Sequence, residues 1–199
     1  MTPLYGKLAP TLHRIAAQAH KGDFDDQGKP YVEHYERACS HIRRLAAERG
    51  VDNRTLDLAL CAAAIHDVAE DHGLDRGFNL TYLRRRGLPE EVLEVVTLLT
   101  HAPGESYADY AVKLSRHPAA ALAKLGDLAD NSDPARSSAS PARREIYRLT
   151  TAFLGGELSE EAYRAAMAPA EKQRALEKRA FQRAADAGPE AAGGLPRVR

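Results

Sequence analysis

The chain has 199 residues, enough for one domain with a substantial core, and its 28 basic side chains balance its 28 acidic ones. A formal charge of zero argues against binding nucleic acid or a membrane surface through bulk electrostatics. Two cysteines, Cys39 and Cys61, are too few for a disulfide framework, and no apolar run approaches membrane-span length. The start of the chain, interrupted by Pro3, Gly6 and Pro10, lacks a signal-peptide pattern, so a cytoplasmic protein with free buried thiols is expected.

Leu4, Leu8, Leu12, Ile15 and Ala19 recur at helical spacing and predict a helix from about Pro3 to His20. The segment GDFDDQG, residues 22–28, is a polar loop. Pro30 suits the first turn of a second helix, which carries His34 and stops at Gly50. A third is expected to start near Asn53 or Thr55, either of which fits an N-cap, and to run to Gly73. Shorter helices follow over Asn79–Arg86, Pro89–His101, Tyr107–Arg116 and Pro118–Asn131. Asp133–Pro141, rich in Ser, Pro and Ala, reads as a linker, and two or three further helices fill the stretch to Ala187. Alternating β-branched stretches are absent. The expectation is an all-α protein with a single domain over residues 1–187 and a disordered tail over 188–199.

The chemistry is concentrated in AAAIHDVAEDH, residues 62–72. On a helix, positions i and i+4 share a face, so His66 aligns with Glu70 and Asp67 with Asp71. Four ionisable groups thus end an otherwise apolar helix, and burying charge is costly unless a metal or counter-charge compensates it. Three helices supply candidate metal ligands: His34, then His66 with Asp67, then Asp127 in KLGDLADN, residues 124–131. Two imidazoles and two carboxylates suit Mn²⁺, Fe²⁺ or Zn²⁺ better than Ca²⁺ or Mg²⁺, which prefer oxygen shells. Four protein ligands in an octahedral shell leave two positions for water or a substrate oxygen, as a catalytic metal requires. His13, His20, His41, His72, His101 and His117 lack such company and read as structural or exposed.

Lys124 lies three residues before Asp127, on the same side of the helix; neutralising a phosphate and pairing with a carboxylate are equally open to it. A guanidinium fork at Arg136 fits a phosphate, and a solvated surface arginine is the alternative. Tyr107 either touches a base or caps a helix, Tyr31 reads as packing, and Phe24 is a loop aromatic suited to stacking or anchoring. Arg84 to Arg86 reads as an exposed helix face.

The order H…HD…D resembles the HD-domain superfamily of metal-dependent phosphohydrolases. AHKGDFDDQGKPYVEH, AAAIHDVAEDH and KLGDLADN together resemble the hydrolase domain of Rel/SpoT-type alarmone enzymes, most of all their stand-alone short forms, over about residues 8 to 136. The resemblance implies an all-α bundle around Mn²⁺ and removal of the 3′-pyrophosphate of ppGpp or pppGpp, with no synthetase activity. It implies that His34, His66, Asp67 and Asp127 hold the metal, and that Glu70 and Asp71 orient or deprotonate the attacking water. Asn131 would bind ribose or phosphate. Where the family carries an Arg-Lys pair against guanine in the first loop, this chain has Asp25 and Asp26; two acids would have to read a base edge by accepting hydrogen bonds. That substitution keeps open a hydrolase for another nucleotide, such as an adenine alarmone or a nucleoside monophosphate, and a non-catalytic nucleotide-sensing module is a third reading.

Overall fold

The structure, a computed structural model, describes residues 3–25, 27–73, 76–134 and 139–186. Among them every regular element is an α-helix, as expected, apart from an isolated antiparallel bridge between Phe24 and Pro30. None of these helices is long and apolar enough to cross a membrane. Of the positions singled out in the sequence, Asp26, Arg136 and the tail at 188–199 lie outside the described residues, as does part of the expected linker.

Where one domain over residues 1–187 is expected, the chain divides into two compact units, Met1–Asp130 and a second beginning at Asn131. The first is organised around α3 (Asn53–Ala63), which packs against α1 (Leu4–Ala19), α2 (Val32–Arg49) and α6 (Glu90–Leu99). Leu58 to Ala63 are all buried, the pattern of a helix wrapped by neighbours on every side. α4 (His66–His72) lies against α1 and α6, and α5 (Leu80–Arg85) and α7 (Tyr107–Ser115) pack on α6. Cys39 and Cys61 are free and buried, and burial pushes their thiols up to about 11 and about 12.

Two local expectations are corrected. The third helix is not continuous to Gly73: it ends at Ala63, and Ile65, at φ −140° and ψ 7°, leaves helical geometry before α4 restarts at His66. Neither glycine nor proline marks this break, so no local signal announces it. The N-cap is Asp52 rather than Asn53 or Thr55; its side chain accepts from the backbone N–H groups of Arg54 and Thr55, while the Thr55 hydroxyl donates to it at 2.7 Å.

The eighth helix, α8 (Pro118–Asn131), meets α2 at Gly126. A Cβ at that position would sit 2.3 Å from Ile42 Cγ1 and 2.9 Å from the Ala38 carbonyl oxygen. A glycine inside a helix is intrinsically unfavourable; here it lets two backbones approach and brings the next residue, Asp127, to His34.

The second unit is built on α9 (Pro141–Leu154) and α10 (Glu160–Asp186), which pack together. Ser140 caps α9 through the Arg143 N–H, and Gly156, at φ +85°, takes the left-handed turn between the helices. Phe153 stacks on Tyr163 at 4.3 Å, and the Thr150 and Tyr163 hydroxyls are 3.0 Å apart and buried.

Candidate metal centre

The four expected ligands come from α2, α4 and α8, all in the first unit. His34 Nε2 lies 3.2 Å from Asp127 Oδ1 and 3.7 Å from Asp67 Oδ2, and His66 Nε2 lies 3.0 Å from Asp67 Oδ1. His34 thus links the two carboxylates, and His66 joins through Asp67. His34, His66 and Asp127 are buried, whereas the Asp67 side chain keeps 20% exposure and opens the cluster toward solvent.

Both imidazoles are oriented from behind. His34 Nδ1 is 2.7 Å from Asp130 Oδ2, and Asp130 is itself held by Arg37 Nε at 2.9 Å. His66 Nδ1 is 3.0 Å from the carbonyl of Ala63, the last residue of α3 before the break. With Nδ1–H donating to that carbonyl, Nε2 is the ring nitrogen that faces Asp67. A ring nitrogen fixed by a carboxylate or carbonyl while the other faces inward is the usual arrangement of a metal-ligating histidine.

Burial disfavours charge on Asp127, but the Lys124 ammonium and the imidazoles of His34 and His66 outweigh it and hold the carboxyl well below its usual range. Asp67 is likewise lowered against burial by His66 and His34. Burial alone would lower His34; hydrogen bonds to Asp127 and Asp130 overcome it and push the imidazole up to about 10. Without an ion, therefore, protons on His34 and the Lys124 ammonium supply the positive charge that these carboxylates require.

The donor types, two imidazoles and two carboxylates, are those of a divalent-ion site, and three His–Asp spacings can be compared with a ligand shell; among the described residues the grouping whose ligand atoms all lie within 4.8 Å of one another is a different one, His20, Asp23 and His72. At metal–ligand distances of about 2.0–2.2 Å, adjacent ligands sit about 2.8–3.1 Å apart in an octahedral shell and about 3.3–3.6 Å apart in a tetrahedral one. The His66–Asp67 spacing of 3.0 Å falls in the octahedral range, the His34–Asp127 spacing of 3.2 Å lies between the two, and the 3.7 Å from His34 to the other Asp67 oxygen lies just beyond them. Lys124 Nζ, 2.7 Å from Asp127 Oδ2, takes the oxygen that turns away from His34. Of the two roles open to Lys124, pairing with a carboxylate is the one this geometry displays.

Glu70 and Asp71 are exposed on α4. Crowding around the Glu70 carboxyl and the neighbouring Asp67 charge raise its pKa, and the His101 backbone N–H approaches Oε2 at 3.4 Å. Tyr107 begins α7, with its ring 6.2 Å from His101 and 5.6 Å from Tyr110. Asn131 is the final residue of α8, four after Asp127. Asp25 accepts from the N–H groups of Gln27 and Lys29, which closes its own loop, and pairs with Arg37 at 3.1 Å. Phe24 is 52% exposed. Arg84 pairs with Glu90 on the surface.

No family model and no curated protein matches this chain. Five residues were undervalued by sequence reading. Tyr31, read as packing, donates its hydroxyl to Asp67 Oδ2 at 2.9 Å. Asp130 and Arg37 form the support behind His34, and their spacing from Asp127 and His34, three residues in each case, was the available signal. His20 and His72, read as structural or exposed, are both buried and share Asp23: among the described residues one ligand atom from each of the three lies within 4.8 Å of the others.

Proposed function

We propose that the chain is an HD-type, Mn²⁺-dependent phosphohydrolase that removes the 3′-pyrophosphate from ppGpp-like nucleotides, a small alarmone hydrolase without synthetase activity, working in the cytoplasm. The observation that carries this reading is the pair of imidazoles, His34 and His66, each with Nε2 turned on a carboxylate and Nδ1 fixed from behind. Two buried histidines arranged this way around Asp67 and Asp127 match the demands of a metal centre better than those of a plain core. Fe²⁺ and Zn²⁺ are also compatible with the donor set.

When bound, the ion supplies Lewis acidity and a water of lowered pKa. The chain's own side chains do the rest. Glu70, raised toward neutrality and one turn from His66, takes the proton of the attacking water, with Asp71 beside it orienting that water. The Tyr31 hydroxyl holds one oxygen of Asp67, so that the other keeps its aim. Asn131, Tyr107 and Arg136 contact the nucleotide. Lys124 holds Asp127 in its anionic form. Phe24 presents an exposed ring for stacking on the base. Asp25, committed to its loop and to Arg37, shapes the base pocket, and Asp26 offers its carboxylate to the base edge.

Pyrophosphate released from ppGpp by the purified protein, with and without Mn²⁺, tests the reading. Turnover should require the metal and vanish in Asp67→Ala. Orthophosphate release, or turnover indifferent to metal, would defeat it. A second reading, hydrolysis of another nucleotide, is favoured by the acidic first loop; a panel of guanine and adenine substrates separates the two. Binding of ppGpp without turnover would indicate a sensing module.

A further inference from the structure

The two ends of α4 bear different chemistry. His66 and Asp67 open the helix, and His72 closes it about 9 Å away at 1.5 Å per residue. At that far end His72 meets His20, the residue after α1, and Asp23 of the following loop. His72 Nε2 is 2.8 Å and His20 Nδ1 is 3.2 Å from the same oxygen, Asp23 Oδ2. The other oxygen, Oδ1, faces the Arg76 guanidinium at 3.4 Å, and Arg76 also donates to the Ala19 carbonyl at 2.6 Å. The carboxylate is therefore divided: one oxygen for the guanidinium, one for the two imidazoles.

We propose that His20, Asp23 and His72 form a second divalent-metal site of the His₂Asp type, suited to Zn²⁺ and separate from the centre built on His34, His66, Asp67 and Asp127. Zn²⁺ takes imidazole nitrogen and carboxylate oxygen at about 2.0–2.2 Å in a tetrahedron, whose edges are then about 3.3–3.6 Å. The His20 to Asp23 spacing already approaches such an edge, and the His72 to Asp23 spacing needs to open by roughly half an ångström. The two imidazoles are buried and provide a dry wall, while the Asp23 side chain, 24% exposed, leaves a side for the ion to enter and for a water to complete the shell. Three separate segments meet here: the end of α1, the 21–31 loop and the end of α4.

The site also bears on its neighbour. The His20 ring lies 4.5 Å from that of Tyr31, whose hydroxyl donates to Asp67, and His20, Tyr31 and Asp67 line one small cavity with Val68 and Ala64. An ion fixing His20 would thereby fix the aromatic ring that holds Asp67. His20, Asp23 and His72 are positioning residues in this respect, and the metal site itself is the claim under test.

The full chain is stripped with a chelator, loaded with Zn²⁺ or Co²⁺, desalted and assayed for retained metal and for the visible spectrum of the Co²⁺ form. His72→Gln and His20→Gln should each retain one equivalent of Zn²⁺ fewer than the parent and lose the intense visible bands of four-coordinate Co²⁺. Asp127→Asn should keep those bands. If both centres bind, the parent retains two equivalents and His72→Gln one; if the proposed catalytic centre fails, the parent retains one and His72→Gln none. The two hypotheses thus fail separately. Asp23→Asn, on a partly exposed loop, repeats the measurement should the buried histidine variants unfold. Unchanged stoichiometry and an unchanged Co²⁺ spectrum in these variants, or a parent that retains no Zn²⁺, overturns the proposal.

Discussion

Replacing Gly126 by alanine probes the closest approach in the first unit. The added Cβ would lie 2.3 Å from Ile42 Cγ1 and 2.9 Å from the Ala38 carbonyl oxygen. Carbon atoms settle about 3.5–4.0 Å apart, so Ile42 or α8 must shift by more than about 1 Å. Ile42 is fully buried, and the Ala38 oxygen belongs to the α2 backbone. Helix propensity taken alone favours alanine by about 0.8–1.0 kcal/mol. Overpacking a filled core costs about 1–3 kcal/mol, and overlap with both a branched side chain and a carbonyl belongs in the upper half of that range. The expected result is a net loss of about 1–2 kcal/mol, read from the urea midpoint by circular dichroism. Because Asp127 follows Gly126, pushing α8 outward should also stretch the 3.2 Å spacing to His34 and weaken metal binding. Ile42→Ala removes Cγ1 and costs about 2–5 kcal/mol in the parent; in the Gly126→Ala background it should cost less, a coupling visible in a double-mutant cycle. A Gly126→Ala protein as stable as the parent, or more so, with unchanged metal affinity, would refute the close-packing argument.

Asp130→Asn keeps the size of the side chain but weakens the support behind His34; metal affinity by titration should fall about 10- to 100-fold with little change in fold. Lys124→Met leaves the buried Asp127 carboxylate without its ammonium and should destabilise the metal-free protein by about 3–5 kcal/mol. Added Mn²⁺ should restore much of that loss in a thermal melt, and a melting temperature indifferent to metal would count against the centre. Metal-free stability should also depend on pH through His34, whose folded pKa of about 10 exceeds its ordinary 6.5. The proton is held more tightly in the folded state, so the stabilisation is full below pH 6.5 and disappears as pH climbs through about 10. The melting temperature should therefore fall across that window in the parent and flatten in His34→Gln. Asp52→Ala should lower the melting temperature by uncapping α3, and Asn53→Ala should leave it nearly unchanged.

The helical architecture was legible because its signals are local. Period-3.6 apolar positions, Pro30 near the start of α2 and Gly50 just past its end place most boundaries within two residues. The break at Ala64 and Ile65 was not legible, since two residues without turn chemistry are held there by tertiary contacts and by the His66 ring on the Ala63 carbonyl. Asp52 was passed over as a cap because Asn53 and Thr55 belong to the same residue class, and which of three adjacent candidates leaves the helix depends on the incoming chain. At the candidate site, the spacing of His34, His66, Asp67 and Asp127 was readable, but what stands behind them was not. Tyr31 reaches Asp67 across 36 positions, and Arg37 reaches Asp130 across 93, relations that no periodicity encodes. The grouping of His20, Asp23 and His72 was hidden for the same reason: Asp23 and His72 are 49 residues apart and meet only once α1 and α4 are packed.

His34 and its support Asp130 are 96 positions apart along the polypeptide. During synthesis at about 5–20 residues per second, α2 emerges roughly 5–20 s before the helix that completes the pocket. Over that interval the nascent chain carries an imidazole and the His66–Asp67 pair with no Asp127 or Asp130 to close around them. On the proposed reading, the shell of His34, His66, Asp67 and Asp127 is complete only after α8 has emerged, so an ion taken up there would lock packing of α3 against its neighbours that is already in place, rather than nucleate it.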